Sequence, residues 1–219
     1  MLIVLVGNKN KNCVIFAQNF FKKNFNKFLF INTEKINKEK IYLKLKKLDI
    51  DILVSLYNYY IFPKDILSKT KTLNINFHPG SSYFPGFGCY NFALLSRAKT
   101  YGCVAHEITS DIDQGNIISE IKFKLNSKWS VKKLQSITEI HVKKLLIDLF
   151  NFYRKKGYFK KNKNIKWKRK SFNRNDFKKI FNLDKKLNSN LIKVINSTYH
   201  SDFSNVYNLG KYKITIDEK

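Results

Sequence analysis

The chain has 219 residues, 43% of them hydrophobic, which is enough for one sizeable α/β domain with an appendage or for two small domains. Its formal net charge is +26, but 38 of its 42 basic residues are lysines and only four are arginines. Nucleic-acid readers depend more on arginine forks, so compositional bias explains this excess better than dedicated nucleic-acid binding does. We still expect the positive field to attract anionic small molecules.

Three cysteines without paired spacing (Cys13, Cys89 and Cys103) predict a reducing compartment and no disulfide framework. No cluster of cysteines and histidines has metal-ligand spacing, so no metal is expected. The apolar opening is too short for a signal peptide or a membrane span, and it lacks a basic lead. These features predict a cytoplasmic protein without a membrane partner.

The first half of the chain alternates short apolar runs with helical patterns. Strands are predicted at 2–6, 28–32, 50–56, 73–77, 103–109 and 117–125, and helices at 13–21, 34–48, 64–68, 90–98 and 129–153. The helix at 34–48 is indicated by Ile36, Ile41, Leu45 and Leu48, which recur at helical spacing. This alternation predicts a Rossmann-like α/β domain over 1–153, with a mostly parallel sheet and helices on both faces.

The composition changes after residue 153. Residues 154–170 include ten lysines and arginines and no acid, which predicts a solvated basic linker over 154–175. A small appendage over 176–219 is predicted to contain a helix at 176–187 and strands at 191–199 and 206–216. The last of these is expected to turn at Gly210.

The polar pair Asn76 and His78 is the strongest candidate for chemistry. The two residues stand two apart at the end of a predicted strand, so they share a face. A loop rich in glycine and proline follows, at the position where open α/β sheets place their ligand crevice. With Asp113 from the acidic turn at 110–116, they offer an oxyanion donor, a proton acceptor and a carboxylate to orient it. Spacing alone leaves a structural role for the three residues open.

Three segments resemble the signature of the 10-formyltetrahydrofolate-dependent formyltransferase family. They are Asn76-Phe77-His78-Pro79, the Pro85-Gly86 loop and Asp113-Gln114-Gly115-Asn116-Ile117. The resemblance implies that Asn76, His78 and Asp113 form a catalytic triad, with 10-formyltetrahydrofolate as cosubstrate. The residues that match the family's folate-binding segments are Tyr60, Ile61, Phe62, Pro63, Ile66, Ser110, Asp111 and Ile112. The aromatic run among them could equally be a surface turn packed on the core.

The loop after His78 is most similar to that of the sugar N-formyltransferases, which act on nucleotide-linked amino sugars. It lacks the Ser-Leu-Leu-Pro and Arg-Gly of the transfer-RNA branch, and too few residues follow Tyr153 for that branch's large barrel. The resemblance therefore implies formyl transfer to a nucleotide-linked deoxyamino sugar, with dTDP as the expected nucleotide and a surface polysaccharide such as O-antigen as the end use. Candidate sugar-nucleotide contacts, by loop position, are Tyr83, Phe84, Gly86, Tyr90 and Asn91.

Two rival functions remain open. One is a methionyl-tRNA-type formyltransferase, supported by the basic run at 154–170, and the other is a non-catalytic basic nucleic-acid-binding protein on the same scaffold. The appendage could pair across a two-fold axis and form a homodimer. His106 and His141 are interpreted as structural, whereas no role is assigned to Trp167 or His200.

Overall fold

The computed structural model describes residues 1–35, 37–126, 128–160, 162, 164–181, 191–200, 205–209 and 212–216. The strands are β1 (Leu2–Gly7), β2 (Lys27–Asn32), β3 (Ile52–Leu56), β4 (Leu73–His78), β5 (Thr100–Glu107), β6 (Ile117–Lys124), β7 (Val206–Leu209) and β8 (Tyr212–Thr215). The helices are α1 (Asn12–Asn24), α2 (Lys38–Lys46), α3 (Lys64–Lys69), α4 (Cys89–Leu95), α5 (Val131–Lys156), α6 (Arg174–Ile180) and α7 (Leu191–Thr198).

The first six strands form one sheet in the order β2-β1-β3-β4-β5-β6. Strands β1 to β4 run parallel, and β5 and β6 are antiparallel to their neighbours. The prediction of a mostly parallel α/β sheet is therefore confirmed. Since β1, β3 and β4 end at the same edge, the loops that follow them meet there, and a ligand crevice is expected at that edge.

Helices cover both faces of the sheet, as continuous apolar strands require. On one face α1 and α5 pack on β1, β3, β4 and β5, and the rings of Phe21 and Phe150 meet edge-on at 4.7 Å between their centroids. On the other face α2 and α3 pack on β1 and β3. The polar side chains of Asn76 on β4 and His106 on β5 lie on this same face of the sheet.

Local signals set where the helices begin and end. Helix α2 begins at Lys38, later than the predicted Glu34, because the side chain of Asn37 caps it by accepting the Lys40 N–H. Ile36, which supported the longer helix, lies outside the described residues. Helix α5 runs to Lys156 and ends at Gly157, whose φ of 77° is the left-handed cap that favours glycine.

One predicted element is wrong. The apolar run at 191–199 was expected to be a strand, but Leu191–Thr198 is helix α7. Its β-branched residues suggested a strand, yet Val194, Ser197 and Thr198 are buried at helical spacing. The hydroxyls of Ser197 and Thr198 both donate to the Val194 carbonyl, which satisfies them within the helix.

The appendage consists of α6, α7 and the β7–β8 hairpin around the buried Tyr207. Its predicted helix end at Leu187 and the turn at Gly210 lie outside the described residues. Within the described ranges, no helix is long and apolar enough to cross a membrane.

Candidate active site

Pairing in the sheet brings three polar side chains into one row. Ser55 of β3 pairs with Asn76 of β4, and Asn76 pairs in turn with His106 of β5. Paired residues point to the same face, so the row lies on the face that α1 and α5 leave uncovered, near the carboxyl end of β4. The Asn76 Nδ2 is 3.0 Å from the His106 Nε2.

Asp113 reaches this row from the loop between β5 and β6. Its backbone is left-handed, with φ of 48°, a conformation that aspartate tolerates better than most residues do. Gly115 allows the loop to turn tightly against β5, since a Cβ there would lie 1.9 Å from the Glu107 carbonyl oxygen. The loop thereby places the Asp113 carboxylate, only 9% exposed, between the two histidines.

Both oxygens of Asp113 are engaged. Oδ2 lies 3.1 Å from the His78 Nδ1 and accepts the Gly86 main-chain N–H at 2.9 Å. Oδ1 accepts an N–H of Asn76 at 3.2 Å and lies 3.1 Å from the His106 Nε2. Burial raises the pKa of Asp113, but the attraction of His78 and the hydrogen bonds from His106 and Gly86 outweigh it, so the pKa ends below its ordinary value. The carboxylate therefore stays ionised at neutral pH.

The imidazole of His78 faces an acceptor at each nitrogen. Nδ1 faces Asp113, and Nε2 lies 2.9 Å from the Phe84 carbonyl oxygen. A neutral ring has one N–H and can satisfy only one of these acceptors, whereas a protonated ring satisfies both. Burial lowers the pKa of His78 despite the opposing attraction of Asp113, so the resting ring is neutral. The arrangement suits a group that takes up a proton.

His106 belongs to this cluster, although the sequence suggested a structural role. Its Nδ1 donates to the Glu107 carbonyl at 2.7 Å, and its Nε2 lies 3.0 Å from the Asn76 Nδ2 and 3.1 Å from the Asp113 Oδ1. The signal that would have found it is strand register, because His106 stands directly opposite Asn76. His141, also interpreted as structural, lies on α5 and stacks on Phe123, with the ring centroids 4.3 Å apart.

A cavity opens beside Asn76, His106 and Asp113. Its lining includes six of the eight residues predicted to bind folate: Tyr60, Ile61, Phe62, Ser110, Asp111 and Ile112. The remaining lining residues are Ser55, Asn58, Ile108 and Thr109. Two other candidates lie elsewhere, since Pro63 caps α3 and Ile66 is buried in the core against Tyr60 and Phe62.

The predicted sugar-nucleotide residues fall into two groups. Tyr83 is 48% exposed, and the Lys122 ammonium lies 5.5 Å from its ring centroid. The others serve the packing: Phe84 is buried and its carbonyl faces His78, and the buried Asn91 donates to the Ser197 carbonyl of α7. The hydroxyl of Tyr90 lies 3.2 Å from that of Tyr57, and the N–H of Gly86 holds Asp113.

Part of the predicted basic linker lies against the site instead of in solvent. We call residues 166–172 the strap. Its Trp167 Nε1 donates to the Gly115 carbonyl at 2.8 Å, and its Phe172 forms a parallel bridge with Gly86. The lysine and arginine side chains of the strap are exposed, which is what the composition had indicated. His200, the other residue without an assigned role, is buried, and its Nε2 lies 3.3 Å from the Gln135 Oε1.

With this geometry established, comparison with known proteins decides the family. The family model described as formyl transferase matches residues 2–149, which include Asn76, His78 and Asp113. The chain belongs to the formyl transferase family. Among curated proteins, this formyltransferase chain is 34% identical over 118 residues to the bifunctional polymyxin resistance protein ArnA of Wigglesworthia glossinidia brevipalpis. That match covers 52% of the chain and only 16% of the longer relative.

Solved structures share the fold of this formyltransferase over nearly its whole length. A sugar N-formyltransferase from a Shewanella species superposes with a TM-score of 0.76 at 22% identity, covering 99% of this chain and 96% of that one. An N-formyltransferase from Helicobacter canadensis, solved in complex with folinic acid and dTDP-3-aminofucose, gives 0.71 at 19% identity, covering 94% and 86%. At these identities the likeness establishes the fold alone.

The described residues contain no group of histidines, cysteines and acids arranged to hold a metal ion. What the site does contain is an amide donor, two imidazoles and one ionised carboxylate beside an open cavity. The strap lies beyond the region that the family model matches, which ends at residue 149.

Proposed function

We propose that the chain is a sugar N-formyltransferase, which moves a formyl group from 10-formyltetrahydrofolate to the amine of a nucleotide-linked deoxyamino sugar. One observation carries the proposal: the Asn76 amide and the Asp113 carboxylate meet at the wall of a cavity that the 60–62 and 110–112 segments line. The Helicobacter canadensis enzyme, of the same fold, was solved with a folate and a dTDP-amino sugar, which supports both substrate classes.

The composition of the cavity supports a pterin as its ligand. Tyr60 and Phe62 form an edge-on aromatic pair at 5.3 Å, while Ser55 and Asn58 offer polar groups. Two isoleucines in its lining, Ile61 and Ile112, are 58% and 56% exposed, and exposed apolar residues on both sides of a cleft are typical of a ligand site. We assign the folate to this cavity.

The chemistry of the residues follows from their hydrogen bonds. Bound 10-formyltetrahydrofolate would supply the carbonyl carbon that the sugar amine attacks. Asn76 would donate an N–H to the carbonyl oxygen as negative charge develops on it. His78 would accept the proton that the amine loses, since its protonated ring satisfies both Asp113 and the Phe84 carbonyl. As the tetrahedral adduct collapses, the bond from the formyl carbon to N10 of the folate would break, and His78 would return the proton to N10 so that tetrahydrofolate leaves. Asp113 would stabilise the resulting imidazolium by its charge.

The second substrate is anionic, and the net charge of +26 favours its encounter with the protein. The exposed Tyr83, beside the Lys122 ammonium, offers an aromatic face for a base and a cation for phosphate. We assign dTDP as the nucleotide and a surface polysaccharide, O-antigen or lipopolysaccharide, as the use of the product. Three buried free cysteines agree with action in the cytoplasm.

The decisive experiment is a formyl-transfer assay with 10-formyltetrahydrofolate and a panel of dTDP- and UDP-linked amino sugars. We expect turnover of a dTDP-amino sugar, and its loss in His78→Asn. His141→Gln, a change of a histidine on α5 outside the cluster, is the matched control and should keep its activity. Absence of transfer to every amino sugar, with a correctly folded protein, would refute the proposal.

The same assay addresses the transfer-RNA and nucleic-acid-binding alternatives. Their support in the structure is the exposure of Lys166, Lys168, Arg169 and Lys170. Formylation of an aminoacylated transfer RNA, or RNA retention that persists at moderate salt without sugar turnover, would favour them, because binding by phosphate contacts alone fades steeply with salt. A homodimer through the β7–β8 hairpin is a further part of the proposal, and it is tested by the mass of the protein in solution.

A further inference from the structure

The strap connects the two loops that hold the catalytic cluster. On one side the Lys168 main-chain N–H donates to the Ser82 carbonyl at 3.0 Å, and the Phe172 N–H donates to the Pro85 carbonyl at 3.0 Å. On the other side the Ser171 Oγ accepts from the Gln114 Nε2 at 3.0 Å. The loop after β4 and the loop after β5 are thus tied together by a third segment.

Trp167 is the strap residue that touches the catalytic groups themselves. Its indole centroid lies 5.2 Å from that of His106, at an interplanar angle of 80°, and 6.0 Å from that of His78, at 69°. Both distances are in the range of favourable edge-on aromatic contacts. The indole N–H meanwhile donates to Gly115, two residues after Asp113. One side chain therefore contacts both imidazoles and anchors the loop that carries the carboxylate.

Trp167 also contributes to the burial of the two histidines. Helices α2 and α3 pack over β1 and β3 on this face of the sheet and do not extend over the histidines. His78 and His106 are nevertheless only 5% and 3% exposed. The indole packs against both rings, together with the Asp113 carboxylate and, for His78, the loop that carries Gly80 and the Phe84 carbonyl. Electrostatic interactions are stronger where water is excluded.

We infer that Trp167 is a positioning residue of the active site, which fixes both imidazoles and keeps water from the reacting groups. The inference rests on the proposed function only in naming formyl transfer as the reaction that Trp167 assists. It assigns a site role to a residue outside the region matched by the family model, which ends at residue 149.

A fluorescence experiment tests the contact without any substrate. Trp129 and Trp167 are the two tryptophans of the chain, so Trp129→Phe leaves Trp167 as the sole indole. A protonated imidazole quenches an adjacent indole, so emission should fall on acidification, in a step that disappears when His78→Asn is added. Emission independent of pH, with the maximum of a solvent-exposed indole, would overturn the inference.

The activity test compares Trp167→Phe, Trp167→Ala and two controls, Trp129→Phe and Lys168→Ala. Lys168 keeps its main-chain bond to Ser82 when its exposed side chain is removed. In Trp167→Ala we expect kcat to fall about 10- to 100-fold, as displaced catalytic groups typically cause. Trp167→Phe, which keeps an aromatic ring, should recover part of the loss.

A second readout separates positioning from mere structural support. Hydrolysis of 10-formyltetrahydrofolate consumes one water and yields formate and tetrahydrofolate, so formate released per formyl transferred reports the entry of water. This ratio should rise in Trp167→Ala and stay unchanged in both controls. An unchanged ratio, with activity lost only in proportion to unfolded protein, would refute the inference. If the wild type formylates no amino sugar but shows the fluorescence step, the proposed function fails and the contact stands.

Discussion

Replacing Asp113 by asparagine is the sharpest perturbation that this site offers. Asparagine is nearly isosteric and accepts the left-handed backbone at φ of 48°, so the change tests the carboxylate and not the loop conformation. The carboxylate accepts the Gly86 N–H at one oxygen and an Asn76 N–H at the other. An amide has one oxygen, so in either orientation its NH2 group faces one of these donors.

The magnitude follows from the interactions that the substitution removes. One charge-assisted hydrogen bond is lost, and the imidazolium of His78 loses its counter-charge at 3.1 Å. If each loss costs about 1.5–3 kcal/mol, the total is about 3–6 kcal/mol. At about 1.4 kcal/mol for each factor of ten, kcat should fall about 10²- to 10⁴-fold.

The assay is single-turnover formyl transfer, with thermal unfolding measured in parallel to verify the fold. Asp148→Asn is the matched control, because that aspartate is exposed on α5 and pairs only with Lys144, at 3.0 Å, among the ion pairs of the described residues. Such an exposed helical pair contributes about 0.3–0.5 kcal/mol, so the control should be nearly wild type. An Asp113→Asn variant with more than about a third of the wild-type rate would refute the reasoning, since a threefold loss of rate corresponds to less than about 1 kcal/mol of activation free energy.

Three further predictions concern pH, the loop and the core. Because burial lowers the pKa of His78, kcat/KM should be retained when the pH falls below about 6.5, the ordinary pKa of histidine, and should decrease only in more acid solution. A decrease centred above about pH 7 would contradict this. Gly86→Ala should lower both Tm and kcat, since its Cβ would lie 2.2 Å from the Phe172 carbonyl oxygen. Gly157→Ala is the control: its φ is similarly positive but no atom lies near its Cβ, so it should lower Tm less and leave kcat unchanged. Phe150→Ala should reduce the free energy of unfolding by about 3–5 kcal/mol in urea titrations, with the exposed Tyr158→Ala as control, and a loss below about 1 kcal/mol would contradict the packing described.

The Asp113 carboxyl adds a pH dependence of stability with a definite sign. Its pKa in the folded state lies below the unfolded value of about 3.9, so its contribution is complete above that pH and is lost as the pH falls further. Asp113→Asn should therefore have a flatter stability profile in acid than the wild type has.

Much of the fold could be predicted from the sequence because its local and tertiary preferences agree. The run at 2–6 is apolar throughout and lies in a strand buried almost entirely, and Asn37 marks the start of a helix. The run at 191–199 misled because its β-branched residues favour a strand, while packing on α4 selects a helix.

The site was only partly predictable for a different reason. Asn76 and His78 share one strand and therefore one face, which is a local pattern. His106 joins them only through the antiparallel register of β4 and β5, which a single sequence does not contain. Trp167 was concealed by its lysine-rich neighbours, whose charge indicated solvent although the backbone between them lies against the site.

The way the strap is held has a consequence for how this region can evolve. Its bonds to Ser82, Pro85 and Phe87 use main-chain atoms, which every residue except proline can supply. Mutational drift can therefore exchange the outward lysines freely while the path of the chain persists. Comparison of sequences would therefore overlook this segment in relatives, whereas comparison of backbone structures would detect it where it crosses the two loops.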